Sequence, residues 1–316
     1  LGKPARELKA FTKTKELVPG ETEELTLVVP VKSLASYDDS GVTGQKSCYV
    51  LEPGAYEFYV GNSVRATEKA DIDGKGAYEV KQLTMIEKLT EALAPVVAFD
   101  RLKPGACGED GIYETEKEAA LQRTVNLGER IHANLPEALE ITGDQGIRLS
   151  DVAEGHATLD AFIAQLQKEE LATIVRGEGM SSPKVTPGTA SAFGGVSDAL
   201  HAYGIPVACC SDGPSGIRME GGWKATQLPI GTLLACSFNL PMMEELYEME
   251  GKELVSNEID TLLGPGINIH RHPLNGRNFE YYSEDPFVTG TFAAAAVRGI
   301  KKGGSTATVK HFAAND

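Results

Sequence analysis

Three short apolar runs in the second half of this chain each end in polar and glycine residues. Ala208-Cys209-Cys210 leads into Ser211-Asp212-Gly213-Pro214, and Thr261-Leu262-Leu263 leads into Gly264-Pro265-Gly266-Ile267-Asn268. The third run, Ser305 to Val309, delivers Lys310 and His311. Between them lie stretches of helical spacing, one from Pro241 to about Ser256 and another ending near Lys302. Strands alternating with helices specify parallel pairing, because a parallel pair needs a long crossover and cannot be closed by a tight turn. In parallel α/β folds the C-terminal strand ends share one face, and sites are built there. Asp212, Lys310 and His311 are therefore expected to meet.

The alternating pattern begins near Thr158. A helix is predicted over Leu159 to Glu170, burying Phe162, Ile163 and Leu166, followed by a short buried strand from Leu171 to Val175. Ser197 to Tyr203 reads as helix, ended by Gly204-Ile205-Pro206. Gly231 to Cys236 and Asp260 to Leu263 read as further strands. A complete eight-stranded α/β barrel takes about 250 residues. Residues 151–316 are thus expected to form the N-terminal part of a (β/α)8-type barrel that is incomplete in this chain.

The first seventy residues read as β-structure. Leu25, Leu27 and Val29 alternate with polar neighbours, as do Tyr56, Phe58 and Val60 after the turn at Pro53-Gly54. Short alternating strands punctuated by Gly and Pro predict a β-sandwich over residues 1–70. Residues 71–150 are expected to be a connector. Within it, Leu83, Ile86, Leu89 and Leu93 give Val80 to Ala92 a helical spacing, and Pro95, Pro104-Gly105 and Gly108 break any long element. Asp71-Ile72-Asp73-Gly74 has the start of a calcium loop, but no glutamate stands at the closing ligand position, so a turn is expected.

Charge narrows the partners. With 45 acidic and 30 basic residues, the formal net charge is −15. Like-charge repulsion then disfavours phosphate backbones and anionic lipid surfaces, so neither nucleic acid nor membrane is expected as a partner. Five cysteines show neither metal-type spacing nor a disulfide framework, which favours a reducing compartment. No apolar run reaches membrane-spanning length, and Leu1-Gly2-Lys3-Pro4 lacks a basic start followed by an apolar core. A cytoplasmic location is expected. His270-Arg271-His272 sets a cation between two imidazoles, with no carboxylate or thiol at ligand spacing, so no metal is expected. Gly264-Pro265-Gly266 lacks the following glycine and helix start that a dinucleotide needs, and no cofactor is expected. Trp223, in a glycine-rich loop, suits either a sugar-stacking plate or ordinary loop packing.

The residue types at the strand ends suit a neutral polyol. Asp212 offers two acceptor oxygens that can bridge neighbouring hydroxyls, while Arg218, Arg277 and Lys310 offer donors. On the alternative reading, Asp212 caps the turn at Gly213-Pro214 and the arginines pair with Glu280, Glu284 or Asp285.

DGPSGIR at 212–218, GPGINIHRHPLNGRNFEYYSEDP at 264–286 and KHFAAND at 310–316 resemble the substrate-binding motifs of family-3 glycoside hydrolases, best those of the bacterial β-glucosidase type. The resemblance runs from about Leu171 to the end. ELKAF, LVPGET and LEPGAYEFYVGNS, in that order, resemble the fibronectin-type-III-like module of many such enzymes, here placed before the barrel in the reverse of the commoner order. The resemblance implies an exo-acting retaining β-glucosidase that removes terminal non-reducing β-D-glucosyl residues from a small β-glucoside or cello-oligosaccharide. It assigns sugar binding to Asp212, Arg218, Arg277, Lys310 and His311, and loop-holding to Glu284 and Asp285.

Retaining hydrolysis needs a nucleophilic carboxylate and an acid/base carboxyl about 5–5.5 Å apart. In the family the nucleophilic aspartate follows the lysine-histidine pair in a later strand, and the acid/base glutamate belongs to a separate α/β-sandwich domain. The resemblance thus puts the nucleophile downstream of this chain and the acid/base upstream, leaving no catalytic residue within it. The chain is expected to stop in mid-domain, to be inactive alone, and to need the upstream sandwich and downstream barrel half as partners. Homo-oligomerisation stays open. A β-xylosidase or related exo-glycosidase on the same scaffold is the second reading. A β-N-acetylhexosaminidase fits less well because Phe312 is followed by Ala313-Ala314-Asn315. A catalytically silent sugar-binding or scaffold protein is the reading from a different class.

Overall fold

The computed structural model describes residues 3–72, 74–91 and 95–315. The chain divides into two compact units, one of Leu1–Lys9 with Val28–Pro136 and the other of Ala10–Leu27 with Glu137–Asp316.

Among the described residues the first unit carries a single 3-10 turn at Val31–Leu34, nine strands and one α-helix: β1 Ser36–Asp38, β2 Cys48–Leu51, β3 Gly54–Tyr56, β4 Tyr59–Gly61, β5 Thr67–Lys69, β6 Tyr78–Val80, β7 Thr84–Lys88, β8 Phe99–Cys107, β9 Tyr113–Ala120 and α1 Leu127–Ala133. All pairings are antiparallel: β1-β2-β7, β3-β6, β4-β5 and β8-β9. Cys48, Val50 and Leu51 of β2 are buried and form its apolar centre.

Three local expectations fail in this unit or beside it. Val80 to Ala92 is not a helix; Thr84 to Lys88 instead pairs with β2, Leu51 opposite Thr84 and Cys48 opposite Lys88. A three-residue apolar spacing over so short a run does not outweigh a buried neighbouring strand with free ladder groups. Its last residue, Ala92, and Leu93 lie outside the described residues. Tyr56 lies in β3 and Val60 in β4, which pair with different partners, and Phe58 lies between the two strands. Leu25, Leu27 and Val29 lie in no strand, and Leu25 and Leu27 are exposed. Alternation makes a strand only where an edge is present to pair with it. Ile72 and Lys75 exchange backbone hydrogen bonds of 2.9 Å, closing the turn expected there. Asp73 itself lies outside the described residues.

The second unit alternates helices with one sheet: α2 Leu149–Ala153, α3 Leu159–Ala164, α4 Lys168–Arg176, β10 Ser191–Gly194, α5 Asp198–Ala202, β11 Val207–Asp212, α6 Gly231–Ala235, α7 Leu240–Ser256, β12 Thr261–Leu263, α8 Pro286–Lys302 and β13 Thr306–Ala307. The sheet order is β10-β11-β12-β13. β10 is antiparallel to β11, whereas β11, β12 and β13 run parallel.

Two expected strands of this unit are helices. Leu171 to Val175 belongs to α4, whose start is closed by a capping box between Gln167 and Glu170 and whose end falls at Gly177. None of its residues is buried, and Val175 is 89% exposed, so no sheet interior draws this apolar run into a strand. Gly231 to Ala235 forms α6, with Gly231, Leu234 and Ala235 buried. The predicted helix over Leu159 to Glu170 breaks at Gln165. The fully buried Gln165 amide accepts from Gln145 and Ile147 N–H and donates to the Ile147 carbonyl at 2.6 Å.

The long helices are well signalled. Asn239 caps α7 by accepting from Met242 N–H at 3.2 Å. Asp285 caps α8 by accepting from Phe287 and Val288, with Pro286 in the first turn and Lys301 and Lys302 in the last. These are favourable cap and dipole placements. Behind the sheet, Leu262, Met243, Tyr247, Leu254, Phe292, Ala295, Ala296 and Ile300 are fully buried. This core fixes the strand ends on which the candidate site stands.

Candidate functional site

Asp212 is the last residue of β11 and pairs in register with Leu263, the last residue of β12. The chain then turns tightly. Arg218 N–H donates to the Asp212 carbonyl at 2.7 Å, and the buried Ser211 hydroxyl donates to the Arg218 carbonyl at 2.9 Å. Glycine is required inside this turn. At Gly213 (φ 140°) an added Cβ would lie 2.0 Å from the Gly216 carbonyl, and at Gly216 (φ 101°) 2.2 Å from the Thr226 carbonyl. The DGPSG pattern is thus a backbone fold that holds Asp212 at the strand end.

Lys310 follows β13. Its N–H donates to the Pro265 carbonyl at 3.1 Å and its carbonyl accepts from Ile267 N–H at 2.8 Å, which places it beside the Gly264-Pro265-Gly266 segment. The Lys310 ammonium donates to the Asp212 carboxylate at 2.5 Å. With 13% of the Lys310 side chain and 32% of the Asp212 side chain exposed, the ion pair is shielded mainly on the lysine side. His311 is held by a reciprocal pair: its N–H donates to the Asn268 side-chain oxygen at 2.6 Å, and the Asn268 amide donates to the His311 carbonyl at 3.0 Å. Its Nδ1 lies 2.9 Å from the Tyr281 hydroxyl, and Asn315 donates to that hydroxyl at 2.6 Å. Burial first, then the Arg277 and Lys310 cations, hold the His311 imidazole below its ordinary value.

Arg277 donates from Nε to Glu280, whose side chain is 4% exposed; this hydrogen bond keeps the guanidinium above its ordinary value. Arg218 pairs with Glu220 through Nε at 2.9 Å and Nη2 at 2.7 Å and is largely exposed. Asp212, Arg218 and Arg277 line one cleft of about 500 Å³ with Ser215, Phe279 and Glu280. Of the five residues read from sequence, Asp212 and Lys310 touch, Arg277 and His311 are within electrostatic reach of them, and Arg218 borders the cleft while turned to Glu220. The turn-capping alternative for Asp212 does not describe its side chain, which bonds Lys310. The pairing of Arg277 with Glu280 is as that alternative had it.

Sequence reading assigned no role to Asn268 and Tyr281, although both lie in the 264–286 motif. Their signal was their position beside the strand end that faces His311. Trp223 is 59% exposed and borders an adjoining cleft with Arg218 and Met219. His270 Nε2 lies 3.1 Å from the Tyr281 carbonyl, and His272 Nδ1 accepts from Leu274 N–H at 3.1 Å. Among the described residues no three His, Cys, Asp or Glu side chains group as a metal site. The two carboxylates in the cleft, Asp212 and Glu280, are each committed to a cation. Such an arrangement presents fixed acceptors and donors to hydroxyl groups and is poorly suited to exchanging protons.

Residues 149–316 match the glycosyl hydrolase family 3 N terminal domain, and residues 1–64 match the fibronectin type III-like domain. The chain belongs to glycosyl hydrolase family 3. Over all of its residues it is 51% identical to a beta-glucosidase of Ruminococcus albus and 36% identical to beta-glucosidase A of Butyrivibrio fibrisolvens, covering 32% and 39% of those proteins. A crystal structure of a beta-glucosidase from Paenibacillus barengoltzii superposes on 99% of this chain with a TM-score of 0.94 at 66% identity, and 34% of that chain is covered. The chain spans about a third of the length of these relatives.

Proposed function

We propose that this chain is the substrate-gripping part of an exo-acting retaining β-glucosidase. Asp212, Arg218, Arg277, Lys310 and His311 hold the terminal glucosyl ring, and the nucleophile and acid/base are supplied by segments outside the 316 residues. The observation that carries this reading is the Asp212–Lys310 pair, formed across β12 at the ends of two strands of one parallel set, beside Arg277, in a chain of this family. Ring hydroxyls can insert as donors to Asp212 and as acceptors from Lys310 and the guanidinium groups, replacing ion-pair contacts with hydrogen bonds of mixed sign. A phosphate would meet the Asp212 carboxylate as a like charge. The three parallel strands β11, β12 and β13 are read as the first arc of a (β/α)8 barrel, and the antiparallel first unit as a fibronectin-type β-sandwich. That architecture puts the cleft at the C-terminal strand ends, where barrel enzymes bind substrate.

The test uses the complete protein. Turnover of an aryl β-glucoside, followed by NMR of the first-formed sugar, is expected to give β-glucose before mutarotation, as a double displacement requires. Failure to cleave any β-glycoside would leave the silent sugar-binding reading. First-formed α-glucose would remove the retaining mechanism alone.

A further inference from the structure

Beneath the 212–218 turn lies a buried carboxyl that no part of the proposed sugar site uses. Glu250, on α7, is 2% exposed, and neither of its carboxyl oxygens has a hydrogen-bond partner among the described residues. Its neighbours on the same helix face reach up to the segment that follows Asp212. One turn before it, the Tyr247 hydroxyl donates to the Pro214 carbonyl at 2.9 Å. One turn after it, the Glu253 carboxylate accepts from Thr226 N–H at 2.9 Å. Residues spaced by three share a helix face. Tyr247, Glu250 and Glu253 therefore form a row along α7 on which residues 213–228 rest, and Glu250 is its centre.

Among the described residues, the groups that face this carboxyl include no cation. From α7 they are Tyr247 and Glu253; from the segment after Asn278–Glu280, the buried Tyr282; from the turn itself, the Gly216 N–H. Of the cations on α7 and α8, Lys252 pairs with Glu248 and both Arg298 and Lys302 pair with Glu244. Arg218 pairs with Glu220. An ionised carboxylate at this position therefore meets no countercharge, the Gly216 N–H alone favouring it.

We propose that Glu250 is a positioning residue, held as the neutral acid under the substrate-binding turn, and that loss of its proton to solvent in alkaline solution lifts residues 213–228 off α7 and carries Arg218 out of the site. Burial, with a smaller contribution from Glu253, pushes the carboxyl up to about 8, the Gly216 N–H opposing the rise. The sign follows from that direction. A carboxyl raised in the folded state favours the fold fully below its ordinary value, and that contribution is lost as pH rises through the folded-state value. The link to activity rests on the proposed function; the link to the turn does not.

The experiment is hydrogen exchange with mass spectrometry on the complete protein, wild type and Glu250→Gln, from pH 6 to pH 9.5, corrected for the intrinsic rise in exchange rate with pH. Between pH 7 and pH 9 the ionised fraction of a group titrating near 8 rises roughly tenfold, and exchange in peptides covering residues 213–228 is expected to rise by about that factor in wild type. Glu250→Gln, which keeps the shape of the neutral acid, is expected to stay protected across the range and to abolish a matching alkaline rise in KM for an aryl β-glucoside. Parallel exchange profiles in the two proteins, or no alkaline transition in wild type, would overturn the proposal. A Glu250→Gln protein that fails to fold, or exchanges fast at every pH, would do so too, because a neutral side chain of the same shape would then not hold the turn on α7. If the complete protein cleaves no β-glucoside, the functional reading falls while the exchange data still decide the role of Glu250.

Discussion

The Asp212 carboxylate and the Lys310 ammonium meet at 2.5 Å although 98 positions separate them in the chain. β12 stands between their strands, so the contact crosses two strand spacings, about 10 Å between the outer strand axes. Only a long side chain delivered beyond the end of β13 can make that reach.

On the proposed function, Asp212→Ala removes acceptors for two sugar hydroxyls and strands the Lys310 ammonium. A loss of about 2–4 kcal/mol in transition-state binding follows, or roughly 30- to 1000-fold in kcat/KM. Adding Lys310→Met to Asp212→Ala is expected to cost less than the product of the single effects, because residues in contact couple by about 0.5–3 kcal/mol. Steady-state kinetics of the four proteins measure both. A loss under threefold in Asp212→Ala, with the circular dichroism spectrum retained, would make the Asp212–Lys310 pair a structural tie alone.

This contact also marks where the sequence was readable and where it was not. The ends of β11 and β12 were legible to within two residues because short β-rich runs stop near glycine and proline, and the end of α8 near Lys302 was legible from its helical spacing. α4 and α6 were not legible as helices, since short, mostly apolar runs such as 171–175 and 231–236 fit a buried strand equally well until burial is known. Nor could spacing show that Arg218 turns to Glu220, that Tyr281 orients His311, or that Glu250 lies inside without a partner. Those are outcomes of packing between segments distant in sequence.

His311 predicts an acid limb. Its folded-state value is lowered by burial and by Arg277 and Lys310, so the neutral imidazole is the form the fold favours. That contribution is present above the ordinary value near 6.5 and is lost as pH falls through the lowered one. The thermal midpoint of wild type is expected to fall more steeply from pH 6.5 to pH 5 than that of His311→Gln, which takes up no proton there. Equal slopes, measured by calorimetry in matched salt, would show that His311 titrates without feeling the neighbouring cations.

Glucoside and xyloside differ by one hydroxymethyl group. A site that hydrogen-bonds its hydroxyl loses that partner with xylose, whereas a tight apolar wall would exclude glucose. The match of the 264–286 segment to β-glucosidases leads to an expected preference of at least about tenfold in kcat/KM, about 1.4 kcal/mol, for an aryl β-glucoside over the matching β-xyloside. Equal or reversed rates on the complete protein would move the assignment to β-xylosidase and leave the retaining mechanism untouched.

Two glycines of α8 are expected to respond to alanine with opposite signs. At Gly299 an added Cβ would lie 2.4 Å from the Glu244 carbonyl and 2.8 Å from the Tyr247 Cβ, so α7 and α8 approach there backbone to backbone. At Gly290, on the same helix, nothing lies within 4 Å. Alanine gains about 0.5–1 kcal/mol over glycine in a helix interior. Overpacking a core costs about 1–3 kcal/mol. The second effect outweighs the first at Gly299 and is absent at Gly290. Gly290→Ala is therefore expected to raise the urea midpoint and Gly299→Ala to lower it, the latter with a net loss of roughly 1–2 kcal/mol in unfolding free energy. Because Gly299 presses on the turn of α7 that carries Tyr247, which bonds Pro214, Gly299→Ala is also expected to raise KM, while Gly290→Ala leaves it unchanged. A stabilising Gly299→Ala would mean that the two helices can part without cost, and α7 would then be no rigid support for the segment beyond Asp212.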